Sequence, residues 1–135
     1  MTITAGTDRS QTALGGDRAV LLSPSAVYSS TTCGTKAYCR GWLNPAAFAA
    51  PAIGTFGDPG KGRFRGPGIF NWDMGFAKDF PVKDRFLLQF RGEFFNVFNH
   101  VNPNGPNTSL SSPNFGQITG AGDPRIGQLA LKLKF

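Results

Sequence analysis

The sequence predicts an all-β fold in which long antiparallel strands are joined by short turns and long loops. Glycine and proline, 18 and 10 of the 135 residues, make long helices improbable because both destabilise helix interiors. The second half alternates apolar and polar residues, which is the period of a strand. Of the 13 phenylalanines, most lie in this half. We therefore expect one β-domain over residues 1–135, with a loop-rich part with short strands at 1–67 and long antiparallel strands at 68–135.

The first half is weakly patterned. "MTITAG" and "DRAVLL" are candidates for short strands, and the segment between them has the Asp and Gly residues typical of turns. From Ser23 to Gly68 the only local prediction is one helical turn beginning at the Asn44-Pro45 pair. So long a stretch without clear elements indicates either a functional loop or a structure that is completed elsewhere.

Two long strands are predicted in the second half, with a turn at Pro81 and Asp84 between them. The first strand is read from "IFNWDMGFAKDF" and the second from "RFLLQFRGEFFNVFNH". In both, every second residue is large and apolar, so these residues fall on one face. The predicted apolar face comprises Phe70, Trp72, Met74, Phe76, Phe86, Leu88, Phe90 and Phe94. Arg91, Glu93 and Asp73 fall on the opposite face, where we expect Arg91 to pair with a carboxylate.

The final strand, "RIGQLALKLKF", alternates in the same way. Its apolar side comprises Leu129, Leu131, Leu133 and Phe135. Long strands with short turns at one end and long loops at the other are typical of transmembrane β-barrels, whose strands need about 9–11 residues. A soluble sandwich also has alternating strands. We favour the barrel because the apolar positions are Phe and Leu almost throughout, and keep a soluble β ligand-binding domain as an alternative.

Other function classes receive little support from the residues. The net charge of +6 comes from scattered Lys and Arg, without the groove of basic and aromatic residues that a single-strand binder uses, so we expect no nucleic-acid partner. His100, the only histidine, has no nucleophile or carboxylate at a recognisable spacing, and we expect a loop hydrogen bond there. "GTFGDPGKGRF" lacks the required residues of a phosphate loop. We expect no enzyme activity, no cofactor and no metal site.

The chain resembles a known family. The stretch "FRGPGIFNWDMGFAKDFPVKDRFLLQFRGEFFNVFNHVN" resembles the C-terminal part of TonB-dependent receptor barrels, in particular the Oar-type, carboxypeptidase-regulatory-like group of soil bacteria. "ITAGTDRSQTALGGDRA", "NPAAFAAPAIGTFG" and "NTSLSSPNFGQITGAGDPRIGQLALKLKF" are similar to other segments of the same barrels. The resemblance covers nearly the whole chain.

The resemblance implies a location, partners and residue roles. It implies the outer membrane of a Gram-negative bacterium, or an extracellular location. It also implies that Leu129, Leu131, Leu133 and Phe135 form the C-terminal signal read by the outer-membrane assembly machinery. If the chain is exported, as the resemblance implies, we expect Cys33 and Cys39 to form a disulfide; two free thiols are the alternative.

The sequence also departs from the family. Such barrels have on the order of 22 strands and a plug, whereas we expect four to six strands and no plug here, so the chain could not import a substrate unaided. Two strand edges would then be unpaired, and such edges template pairing with other chains. We expect a non-catalytic structural β-protein that self-associates with other copies through strand edges into an oligomer or extracellular fibre. A plain fragment of an outer-membrane nutrient receptor or transporter barrel is the alternative.

Overall fold

A computed structural model of the chain describes residues 1–29, 40–83 and 85–135. The predicted all-β class is confirmed: the described residues form seven strands and two single-turn 3-10 helices, and the four strand pairings are antiparallel. The strands are β1 Val20–Leu21, β2 Arg40–Gly41, β3 Phe48–Ala49, β4 Met74–Lys83, β5 Phe86–Phe95, β6 Gln117–Ile118 and β7 Ile126–Lys134. None of the helices in the described ranges is long and apolar enough to cross a membrane.

The described chain divides into two compact units, which we name the loop unit and the strand unit. The loop unit consists of Met1–Pro67 and Pro103–Gly120, and the strand unit of Gly68–Asn102 and Ala121–Phe135. One boundary, at residues 67 and 68, lies where the sequence changes from weak to strong alternation. The segment 103–120 lies between two long strands in sequence but packs with the first half of the chain.

The loop unit is built around a small apolar core. The unit also contains two sheets of two strands each, β1 with β3 and β2 with β6. The core residues are Ile3, Ala19, Val27, Leu43, Ala47, Phe48, Phe64 and Phe115. The ring of Phe48 packs edge-on against Phe64 at 5.3 Å and against Phe115 at 5.7 Å between ring centroids. Such pairs add about 0.5–1.5 kcal/mol beyond their buried area.

Side-chain hydrogen bonds to the backbone hold two local segments of the loop unit. The predicted helical turn is present as the 3-10 helix Pro45–Ala47, and the Asn44 side chain accepts a hydrogen bond from the Ala46 backbone N–H at 3.1 Å. This is the usual cap of a helix N-terminus. Further upstream, the Asp17 carboxylate accepts hydrogen bonds from the backbone N–H groups of Arg9 and Ser10. The backbone N–H of Ser10 is the main cause that holds the pKa of Asp17 below its usual range.

The first residues of the chain are paired on both sides within the loop unit. On one side Ala5 N–H donates to the Asp17 carbonyl and Ala19 N–H to the Ile3 carbonyl. On the other side Thr4 bridges Ser109. Residues 3–5 are therefore hydrogen-bonded to other segments of the loop unit on both sides.

The strand unit is a three-stranded antiparallel sheet in the order β4-β5-β7. In β4 and β5, Met74 lies opposite Phe94, and Phe80 opposite Leu88. In β5 and β7, Phe95 lies opposite Ile126, and Leu87 opposite Lys134. The sheet is continuous over strands of 10, 10 and 9 residues.

Two predicted boundaries of β4 need correction. The strand begins at Met74 rather than Phe70, and it continues through the predicted turn residue Pro81 to Lys83. The register shifts between Pro81 and Lys83, and such a bulge accommodates proline because the local ladder is already interrupted. The chain therefore reverses between Lys83 and Phe86, which lie opposite each other.

Candidate functional site

The register of the strand unit places large apolar residues of all three strands on one face. Directly opposite residues of paired strands share a face, and Phe90 lies opposite Leu131 while Leu88 lies opposite Leu133. We call this surface the apolar face. Its positions are Met74, Phe76, Lys78 and Phe80 in β4, Leu88, Phe90, Gly92 and Phe94 in β5, and Gly127, Leu129, Leu131 and Leu133 in β7.

The apolar face is open in the described chain. Phe76 is 45% exposed and Leu131 is 67% exposed. Both lie within regular strands rather than in loops. A continuous apolar surface of this kind is unusual for a protein surrounded by water and marks contact with a membrane or with other protein.

Two glycines let the phenylalanine rings lie flat on this face. A Cβ atom at Gly92 would stand 2.6 Å from the Phe76 ring, and one at Gly127 would stand 3.1 Å from the Phe94 ring. The Phe76 and Phe94 rings are nearly parallel, at 20° and 6.2 Å between centroids. Each ring therefore covers the glycine opposite it on the neighbouring strand, an arrangement that compensates for the missing side chain.

Phe70 and Trp72 lie outside the strands but close to their ends. The Trp72 ring stacks on Phe98 at 5.2 Å, and Phe70 contacts Phe98 and the His100 ring at 6.0 and 5.5 Å between centroids. Phe70, Trp72 and Phe98 are all more than half exposed. These rings form what we call the aromatic cluster, at the end of the sheet where the long loop leaves β5.

The opposite face of the sheet is polar. Gln89, Arg91 and Glu93 of β5 lie across from Lys132, Ala130 and Gln128 of β7. Glu93 accepts hydrogen bonds from Arg91, with which it forms an ion pair, and from the amide of Gln128. Arg91 thus has the carboxylate partner that the sequence led us to expect, on the face opposite Phe90.

The polar face is not uniformly polar along the strands. In its middle, Arg91 is flanked by two small residues, Ala77 of β4 and Ala130 of β7. Towards the loop end, Phe95 lies opposite Ile126. The charged part of this face therefore lies between the turn end and the Glu93 position.

Three asparagines at intervals of three residues hold the loop end of the sheet, and sequence reasoning missed them. Asn96, which is 6% exposed, donates to the carbonyls of His100 and Asp123 and accepts from the His100 N–H. Asn99 accepts from the Arg125 N–H. Asn102 both accepts from the Phe70 N–H and donates to the Phe70 carbonyl. We call Asn96, Asn99 and Asn102 the asparagine clamp.

The clamp joins three chain segments that are remote in sequence. Asp73 adds to it, because its carboxylate accepts from the Asn96 N–H at 2.9 Å. Asn96 and Asn99 have φ angles of 49° and 51°, a conformation that asparagine adopts more easily than most residues. The spacing N-V-F-N-H-V-N was the only signal in the sequence that could have indicated the clamp.

The remaining predicted site residues take different positions. Phe86 begins β5 opposite Lys83, near the turn. Leu129, Leu131 and Leu133 lie on the apolar face, whereas Phe135 follows the end of β7 and is 95% exposed. His100 donates its backbone N–H to Asn96, and its ring Nδ1 lies 3.3 Å from the Asn102 side chain. Cys33 and Cys39 lie outside the described residues.

The comparison with protein families identifies the chain. Residues 1–128 match the model of a family described as outer membrane beta barrel domain. The chain belongs to this family, which fits a sheet with one apolar and one polar face and locates the protein in the outer membrane of Gram-negative bacteria. No curated protein and no solved structure matches the chain.

Proposed function

We propose that β4, β5 and β7 are neighbouring strands in the wall of a TonB-dependent receptor barrel. In this arrangement the apolar face contacts lipid and the polar face lines the lumen. The observation that supports the proposal most strongly is the register, which aligns Phe90 with Leu131 on one face and Gln89 with Lys132 on the other. The strand lengths of 10, 10 and 9 residues fit the length that a tilted strand needs to cross a membrane.

The connections suggest an orientation. β4 and β5 meet in a short turn between Lys83 and Phe86, whereas β5 and β7 are separated by residues 96–125. Bacterial barrels have short turns on the periplasmic side and long loops outside. The aromatic cluster then lies at the outer membrane–water interface, where tryptophan and other aromatic rings are favoured.

Strand directions indicate what completes the sheet. β4 and β7 each pair with β5 alone among the described strands, and both run antiparallel to it. β4 and β7 therefore run in the same direction, so identical copies with the same membrane orientation would place β7 of one copy parallel to β4 of the next. Two copies related by a two-fold axis could instead pair like edges antiparallel, but one copy would then be upside down in the membrane. Because barrel walls are antiparallel, we propose that different strands, running in the direction of β5, complete both edges.

Self-association is the second candidate, and it is favoured by the edges of β4 and β7 that no described strand pairs with. Outside a membrane the orientation of the copies is unconstrained, so edge pairing could produce an oligomer or fibre. In water the apolar face would also need to be covered. We rank this candidate below the barrel because the barrel accounts for the faces as well as the edges.

We also propose that the chain has no catalytic role and that Leu129, Leu131, Leu133 and Phe135 are read by the outer-membrane assembly machinery. The absence of a catalytic role is supported by the ion pair between Arg91 and Glu93, because the two ionisable groups in the middle of the polar face are bound to each other. The second is supported by the exposure of the three leucines and of Phe135. Replacing Phe135 with Ser should reduce the amount of folded protein in the outer membrane while leaving its synthesis unchanged.

Quenching of tryptophan fluorescence by brominated lipid tests the barrel proposal. The chain has two tryptophans, so Trp42→Phe leaves Trp72 as the only reporter. In bilayers we expect Trp72 to be quenched more by bromine near the headgroups than by bromine near the chain ends. Trp72 fluorescence that is insensitive to every brominated lipid would contradict the proposal and favour self-association in water.

A further inference from the structure

Lys78 is out of place on the apolar face. It lies in β4 between Phe76 and Phe80 and directly opposite Phe90. The other described positions of this face are Phe, Leu, Met or Gly. The side chain of Lys78 is exposed, and no ion pair with it occurs among the described residues.

No carboxylate of the described strands can reach Lys78 on this face. Asp79 lies opposite Gln89, and Glu93 lies opposite Gly75, so both belong to the polar face. Glu93 is in addition occupied by Arg91 and Gln128. A partner for Lys78 must therefore come from beyond the described three-stranded sheet.

The depth of Lys78 argues against a lipid headgroup as that partner. Lys78 is the fifth of the ten residues of β4. At about 3.3 Å per residue and a tilt of about 45°, it lies roughly 9 Å below the first residue of the strand. This is close to the middle of an apolar band about 25 Å tall, and an extended lysine is too short to bring its ammonium group to the phosphates from there.

We infer that the strand completing the free edge of β4 has an Asp or Glu beside Lys78 on the outer surface of the barrel. This inference rests on the proposed barrel function. A residue directly opposite on a neighbouring antiparallel strand places its Cβ about 4.5–5.5 Å away, which suits an ion pair. Among the described strands β4 pairs with β5 alone, which leaves its other edge to accept such a strand. Identical copies do not supply it, since the corresponding face of β7 has only Gly and Leu.

The partner hypothesis and the lipid hypothesis predict opposite signs for Lys78→Met. If Lys78 is paired, methionine leaves a carboxylate without its cation, and the equilibrium constant for unfolding should rise at least tenfold. If Lys78 faces lipid, methionine removes a costly charge and the constant should fall about 30-fold or more. Lys132→Met on the polar face is the matched control, and we expect a change below threefold there.

The measurement uses the full protein, extracted from outer membranes in mild detergent and incubated at increasing urea concentrations. The folded and unfolded fractions at each concentration are then separated by their different mobilities on a gel of unboiled samples. A carbodiimide, which couples a lysine amine to a contacting carboxylate, should link Lys78 to an Asp or Glu of another strand, and Lys78→Arg should abolish that link. The inference would be overturned if Lys78→Met lowered the unfolding constant or changed it less than threefold, or if the carbodiimide formed no link in the wild type. The barrel proposal would still stand after any of these results. Protein found only in the soluble fraction would overturn the barrel proposal, and the inference with it.

Discussion

Replacing Asn96 should destabilise the strand unit more than any other single polar substitution at its loop end. Asn96→Ala removes three side-chain hydrogen bonds, of 3.0, 3.2 and 2.9 Å, from a residue that is 6% exposed. At about 1 kcal/mol each, the loss is about 3 kcal/mol. The φ angle of 49° adds about 1 kcal/mol for alanine. The expected decrease in the free energy of unfolding is therefore about 4 kcal/mol.

Asn96→Gly separates the two contributions. Glycine also loses the side-chain hydrogen bonds but tolerates the positive φ angle, so it should destabilise by about 3 kcal/mol. Asn71→Ala is the control, because Asn71 is exposed and makes one side-chain hydrogen bond, to Asp73. The assay is urea unfolding of the detergent-solubilised protein, followed by tryptophan fluorescence. A change below about 0.5 kcal/mol for Asn96→Ala, the range of ordinary surface substitutions, would refute the clamp.

Three further outcomes are expected. Gly92→Ala should displace the Phe76 ring, because the added Cβ would lie 2.6 Å from it; a double-mutant cycle with Phe76→Ala should give a coupling of about 0.5–1 kcal/mol, and additive effects would contradict the ring placement. The lowered pKa of Asp17 means that its stabilising effect is complete above the ordinary value of about 3.9 and is lost as the pH falls through the lower folded-state value. Proteolysis of the loop unit should therefore increase as the pH falls through the lowered pKa of Asp17, and Asp17→Asn should remove this dependence of proteolysis on pH. Thiol titration of the denatured, unreduced protein should find Cys33 and Cys39 blocked; two titratable thiols would contradict the disulfide.

The alternation of the long strands could be predicted from the sequence because each strand has one face of nearly uniform character. Phe90 and Arg91 are adjacent in sequence and fall on opposite faces, as the period of two requires. The same alternation gave the apolar positions of β7. In a strand whose two faces both carried apolar and polar residues, the sequence would not have shown which face was apolar.

The strand ends could not be predicted because they depend on contacts between remote segments. Phe70 and Trp72 continue the alternation, yet β4 begins only at Met74. The asparagine clamp holds residues 70–73 and 121–125 through backbone groups, and residue types do not specify which carbonyl an asparagine meets. Pro81 suggested a turn, whereas the bulge beside it lets the strand continue.

The loop unit was the least predictable part of the chain. Its strands are two residues long, too short to show a period. Its core includes Phe64 and Phe115, which lie far apart in sequence and meet through Phe48. Two local elements were predicted there: the Asn44-Pro45 turn, which is set by adjacent residues, and a short strand in "DRAVLL", which contains β1.

The central claim is that the apolar face of the strand unit contacts lipid, and a charge placed on it tests that claim most directly. Leu131→Arg puts a cation on the apolar face opposite Phe90, whereas Gln89→Arg puts one on the polar face between Asp79 and Lys132. In lipid bilayers we expect Leu131→Arg to lower the free energy of unfolding by about 2–4 kcal/mol and Gln89→Arg to change it by less than about 0.5 kcal/mol. Equal, small effects of the two substitutions would contradict lipid contact, because they are what a face exposed to water would give.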